Sequence, residues 1–306
     1  MIVQKEVTPQ LSTSYLVRCH DTVSGYVTKA ADCVGATTPS ALYTLLGLGY
    51  PNSPHRPDAP YLDVLRFESS ELMRLTKAMG GCTLEEAAAN NGPFVERAPF
   101  NGLGLTAGGS PPVPLWFLDH CRLPPGAELW RVHPNGQEEL LATYRDIGLG
   151  WLGAYGALPI ESRVLPSLMI GPLAKWSDVT WPVDLLPDGE TVVLASAGEP
   201  PMVGFDRTAR GYWRRKVPLA EVGDYYDLWL TGTWHGARFR IVHRWEQQGQ
   251  IRVELFYIGR NADEAESLGL AKLDAGVYAW SAPISELIDV QAVQHTPSAL
   301  SAHAPQ

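Results

Sequence analysis

The residues with the clearest chemical potential lie in the first half of the chain. Arg18, on a segment (15–19) that reads as a strand, could pair with a phosphate. Glu139 closes Gln137-Glu138-Glu139 on a hairpin and could polarise a ribose hydroxyl. A guanidinium and a carboxylate of this kind would suit a ligand that carries both a phosphate and a ribose. The plainer account is a hairpin with exposed glutamates and an arginine in an ordinary salt bridge, and it ranks first.

Other constellations are weaker. Gly102-Leu103-Gly104-Leu105-Thr106-Ala107 mimics a dinucleotide fingerprint, but a true one follows a strand and opens a helix. Pro99 precedes this run and Gly108-Gly109-Ser110-Pro111-Pro112 follows it, so it reads as a loop. Trp234-His235-Gly236 reads as a turn between strands. Cys19-His20 and His120-Cys121 could in principle ligate zinc, yet adjacent residues on a strand face opposite ways, so each pair offers one ligand easily. The four cysteines form no CxxC and read as reduced, buried thiols; no metal is expected. There is no Gly-x-Ser-x-Gly, no His-Glu-x-x-His and no P-loop.

The elements that must position these residues are short. Gly (29) and Pro (25) are abundant, which favours turns over long helices. Thr38-Pro39 opens a helix that Gly47 stops, and Thr83 with Glu86 forms a capping box. Residues 51–60 must be loop, 61–67 alternate as a half-buried strand, and 71–79 space Leu72, Leu75 and Met79 as a helix would. Asn135-Gly136 sits between two strand-like runs as a type I′ hairpin turn. From Trp151 onward the chain holds eight of its ten tryptophans, with strand-like runs at 190–196, 237–245 and 251–259.

Charge narrows the partners. With 24 Lys+Arg against 33 Asp+Glu the formal net charge is −9, a poor basis for gripping nucleic acid. The local cluster Arg207, Arg210, Arg214, Arg215 and Lys216 reads as a solvated face. No apolar run approaches the roughly 18 residues of a membrane span, and no basic-then-apolar leader opens the chain, so the expectation is a cytoplasmic protein with no membrane partner.

The strongest signal is an internal repeat. Residues 204–224 align without a gap on 269–289, at an offset of 65. Gly204/Gly269, Gly211/Gly276, Pro218/Pro283, Glu221/Glu286 and Asp224/Asp289 are identical. Asn261 and Glu264 cap a small helix inserted before the second copy. Units of this length suit an SH3-like barrel or a curled sheet.

Two resemblances bear on function. "GFDRTARGYWRRKVPLAEV", "TWHGARFRIVHRW" and "ADEAESLGLAKLDAGVYAWSAPISELIDV" resemble tandem small-β proteins of actinobacteria, some of them beside secreted polymorphic toxins. That resemblance spans residues 176–295 and implies an immunity, or antitoxin, role; it carries over no functional residue. The first half has features similar to the ADP-ribosyltransferase superfamily, which combines a strand Arg, a Ser-Thr-Ser strand and a late Gln/Glu-x-Glu. Here Ser12-Thr13-Ser14 precedes Arg18, the wrong order, so the "GLGLT" run would have to replace that strand.

The expectation is therefore an α+β protein: a mixed domain at 1–150, small β repeats at 151–228 and 229–295, and a disordered tail at 296–306. Its leading function is a non-catalytic module that binds a protein partner, with a toxin as the implied partner and no cofactor. The expected contact residues are Trp213, Arg214, Arg215, Glu221, Trp280 and Glu286, because Trp and Arg dominate interface hot spots. The second reading, implied by the superfamily resemblance, is an enzyme in residues 1–150 that uses NAD as cofactor, an ADP-ribosyltransferase or a glycohydrolase, with Arg18 and Glu139. A phage or virion structural component is the third.

Overall fold

Two large antiparallel sheets, joined along a seam of buried ion pairs, make up the molecule. The computed structural model describes residues 1–156, 158 and 167–298. The first half contains β1 (Ile2–Val7), α1 (Pro9–Arg18), β2 (Thr22–Lys29), α2 (Pro39–Leu46), β3 (Leu62–Glu68) and β4 (Leu75–Lys77). It continues through β5 (Gly80–Gly81), α3 (Leu84–Ala89), β6 (Phe94–Val95), β7 (Trp116–Arg122), β8 (Glu128–Val132), β9 (Glu138–Asp146) and β10 (Gly150–Gly153). Eight of these strands form one sheet in the order β10-β9-β8-β3-β1-β2-β7-β4, and β5 and β6 make a small parallel pair.

The second half contains β11 (Pro172–Trp176), β12 (Val179–Leu185), β13 (Thr191–Ser196), β14 (Asp206–Arg207), β15 (Trp213–Pro218), β16 (Gly223–Trp234) and β17 (Ala237–Gln247). Then come β18 (Gln250–Tyr257), α4 (Ala262–Ser267), β19 (Ala271–Asp274), β20 (Val277–Pro283) and β21 (Ile288–His295). They form an 11-stranded sheet, β14-β15-β13-β12-β11-β16-β17-β18-β20-β19, with β21 added on β16.

This overturns the expected α+β architecture. Among the described residues there are four short α-helices, and both halves are built on antiparallel sheets. The helix expected at 71–79 is a turn followed by β4, since Leu72 and Leu75 reach apolar neighbours equally well from a turn and a strand. The strand expected at 15–19 is the end of α1: Thr8 caps that helix, accepting from the Leu11 N–H, and Pro9 stands at its start. The boundary at 150/151 falls inside β10, and the one at 228/229 falls inside β16.

Segments 204–224 and 269–289 nevertheless share one succession of elements. Each has a short strand, a turn, a longer antiparallel strand, a 3-10 turn (Leu219–Glu221 or Ile284–Glu286) and a further strand. The matched glycines and aspartates all have positive φ: Gly204 and Gly269, Gly211 and Gly276, Asp224 and Asp289. The sequence match therefore tracks backbone geometry that side-chain-bearing residues resist. The units are not separate small barrels. β16 follows the first 3-10 turn and pairs with β11; it is also the first strand of the second unit, and β21 pairs with it in turn.

Apolar residues fill the layers on both sides. β3 is buried on both faces: Leu62 and Val64 pack with Leu42 and Leu48, while Leu65 and Phe67 join Val3, Leu118 and Tyr144. Across the seam, Tyr26, Phe94 and Phe117 from the first half share a core with Val242, Phe256 and Val277 from the second.

Charged side chains cross the same seam. Arg122 meets Asp184 at 3.0 Å, Arg214 meets Asp146 at 2.8 Å, and Arg260 meets Asp119. Lys5, buried in β1, donates to Asp274 Oδ2 at 2.7 Å, and the Tyr50 hydroxyl donates to Asp274 Oδ1 at 2.8 Å. Glu6 lies 3.4 Å from the same ammonium, which is already committed to Asp274. Burial therefore dominates and pushes the Glu6 carboxyl from 4.5 up to about 7. Between those values the folded state holds the proton that the unfolded state has lost, so stability falls as pH rises through that window. Glu6→Gln is expected to raise the melting temperature at about pH 8 and leave it nearly unchanged at about pH 5. Calorimetry at both pH values checks this, and an equal shift at both would contradict it.

Candidate functional site

The expected catalytic pair is not assembled. Arg18 is exposed at the end of α1 rather than on a strand. Glu139, on β9, lies 3.1 Å from His133 Nε2 in an open hollow that also holds Asn135, Gln137 and Tyr155 but not Arg18. The Gly102 run is a turn, with isolated bridges at Leu103 and Leu105 and no helix behind it. Burial raises all four thiols, Cys121 to about 12, and holds His20 and His120 below the usual imidazole range. His120 stacks on Phe256 at 3.6 Å, and no group of three His, Cys, Asp or Glu converges on a metal-sized point among the described residues.

The expected contact residues divide between the two units. Arg214 is tied to Asp146, and Arg215 lies over the Trp176 ring at 4.4 Å while donating to the Val203 carbonyl. Trp213 is half-buried against the Val217 core, and Glu221 is exposed at the first 3-10 turn. The basic cluster is thus largely mortar. Arg210 is buried and donates to the carbonyls of Ile147 and Cys19 at 2.8 Å. In the second unit the structure brings two expected residues together. The Trp234 indole donates to Glu286 at 2.9 Å, and its ring packs on Trp280 with centroids 5.6 Å apart.

From this aromatic pair a surface runs along β21. Thr233, beside Trp234, pairs with Ile288, and the ladder continues to Asp227 opposite His295. All eight residues of β21 are exposed, and among the described residues β21 pairs with β16 alone. Ile288, Val290 and Val293 are 62 %, 51 % and 52 % exposed. The pairing register slips between Thr231 and Thr233, where Asp289 has positive φ, so a bulge at 289–290 breaks the alternation: Ile288, opposite Thr233, shares the face of Val293, while Val290, beside Gly232, shares that of Ala292. A free, apolar strand edge is a template for another strand.

Beyond His295 the surface meets a cleft on the seam, about 480 Å³. Its walls include Leu72, Met73, Leu123, Pro125, Leu186 and Tyr225, and its floor holds Arg122, Asp184 and Asp227. Burial raises both carboxyls, Asp184 to about 6, against the opposing pull of Arg122 and Arg240. Each is held in an ion pair, Asp184 with Arg122 and Asp227 with Arg240 at 3.4 Å. The floor therefore shapes the cleft, and the one thiol in its wall, Cys121, is held protonated.

No family model, curated protein or solved structure matches the chain. No helix among the described residues is long and apolar enough to cross a membrane.

Sequence reasoning missed both β21 and the cleft. Segment 288–295 shows alternation without revealing that its outer edge is unpaired. The cleft walls come from residues near 72, 123, 186 and 225, which only the fold brings together.

Proposed function

We propose that this chain is a non-catalytic interaction module that takes an extended segment of a basic protein partner onto β21. The observation that supports it is an eight-residue strand, exposed throughout and, among the described residues, hydrogen-bonded on one side only. Backbone groups on that edge would supply affinity, and alternate side chains would supply specificity. Glu286 and Asp289 flank the start of the strand, and the chain carries a net charge of −9, so a basic segment is favoured over an acidic one. A secreted toxin is the partner class that the resemblance over 176–295 suggests.

The test is a displayed library of ten-residue segments that alternate apolar and random positions, selected on the native protein. Enriched segments are expected to carry Lys or Arg and to bind Val290→Lys/Val293→Lys at least about 30-fold more weakly, roughly 2 kcal/mol. Both replaced side chains are half-exposed, so thermal melting should stay unchanged. Equal binding to the variant would remove β21 from the interface. Self-association of the native chain through β21, seen by light scattering and absent in the variant, would replace the foreign segment by a second copy.

A further inference from the structure

The cleft at the end of β21 is partly occupied by the chain itself. Residues 296–298 leave the strand and run to its mouth, where Pro297 forms part of the wall. Ser298 is anchored on Glu71: its N–H and its hydroxyl each donate to the carboxylate at 2.7 Å. His295 Nε2 lies 3.2 Å from the Glu71 carbonyl oxygen. The paired donors hold the Glu71 carboxyl below its ordinary value.

This arrangement has the form of ligand recognition. One carboxylate reads two donors that a serine or threonine presents together, a backbone N–H and a hydroxyl. The residue before it sits in an apolar wall that suits a proline ring, and a proline keeps the chain extended at low entropic cost. With Pro297 in place about 480 Å³ is still open, within the range of roughly 300–1,000 Å³ that ligand-holding clefts occupy. The Glu71–Ser298 contact faces solvent: both residues are exposed. Solvent-exposed hydrogen bonds are among those that open at low free-energy cost.

We infer that the cleft is a recognition site for an extended Pro-Ser or Pro-Thr segment of a partner protein, and that residues 296–298 are a resident stand-in which the partner displaces. The site is separate from pairing at β21: it uses side chains of the seam and the Glu71 carboxylate, and it stands or falls without the edge strand. Because the resident is tethered, its effective concentration is in the millimolar range, and it weakens every competitor by a constant factor.

The experiment uses the full chain and a fluorescent, N-acetylated hexapeptide with the sequence of residues 294–299. Pro297→Asp should free the cleft, because a carboxylate is expelled from an apolar wall next to Glu71. The peptide is expected to bind Pro297→Asp at least tenfold more tightly than the native chain. Changing its serine to alanine should weaken binding about fivefold, since one hydrogen bond is lost. Adding Glu71→Gln to Pro297→Asp should weaken it further, with melting unchanged; Glu71→Ala is the second variant for the same contact. Failure of the peptide to bind Pro297→Asp below about 1 mM would overturn the proposal. So would binding that is indifferent to both Glu71 substitutions, or equal binding to the native and Pro297→Asp chains. None of these readouts involves Val290 or Val293, so they are independent of the edge strand.

Discussion

Replacing Arg122 by methionine is expected to cost the fold about 3–5 kcal/mol, the range for breaking a buried ion pair from one side. Its guanidinium leaves β7 and donates to the carbonyls of Ile170, Pro172 and Val183 and to Asp184. Both side chains of the pair are 2 % exposed. Without the cation, three carbonyls lose a donor and Asp184 loses the charge that offsets its burial. Its carboxyl already stands at about 6 against an ordinary 3.8, and the substitution moves it higher. A raised carboxyl means that stability falls as pH rises through the window between the unfolded and folded values. The loss should therefore be larger at about pH 8 than at about pH 5. Urea unfolding at the two pH values reads both effects. The double variant Arg122→Met/Asp184→Leu should recover most of the loss, because an apolar pair leaves no stranded charge. A single variant that unfolds with the native midpoint at the higher pH would show that the seam does not depend on this pair.

Gly102→Ala should be as damaging for a different reason. Gly102 has φ +68°, and a Cβ there would lie 1.9 Å from the Gly80 carbonyl oxygen. The two backbones are joined by a hydrogen bond from the Gly80 N–H to the Gly102 carbonyl at 2.9 Å. The segments cannot separate to admit a methyl group without breaking that contact, so strain and clash add. A loss of more than about 3 kcal/mol is expected by thermal or urea unfolding. Gly198→Ala is the control: its Cβ would meet nothing within 4 Å, and the melt should not move. If both variants melt alike, the close approach at Gly102 carries no stability.

What could be read from the sequence was the local chemistry of chain reversal. Thr38-Pro39 with Gly47 marks α2: the Thr38 side chain accepts from the Ala41 N–H and Gly47 takes φ +66°. Thr83 and Glu86 bracket the start of α3, and Asn261 caps α4. The repeat was visible because its glycines and aspartates stand where φ is positive. These signals live within a few residues. The architecture does not. The same N-cap and proline signal, Thr8-Pro9, opens α1, yet the β-branched, apolar appearance of 15–19 concealed it. That β3 would be covered on both faces depends on α2 and β1 arriving from opposite sides. The expected contact residues followed tryptophan and charge content. The structure sends Arg214 inward to Asp146 and leaves the exposed apolar surface on β21, a strand without a tryptophan.

Because β16 belongs to both units, the order of synthesis matters to folding. When residues up to Trp234 are available, β11 to β16 can already pair, but β16 then presents one long edge with no neighbour. β21 becomes available only after β17 to β20 have been made. During that interval the nascent chain carries an uncapped strand bearing Trp229 and Leu230, the kind of surface that templates aggregation. Slow elongation across 235–287 would lengthen the exposure, and a bound chaperone there would protect the chain until β21 closes the edge.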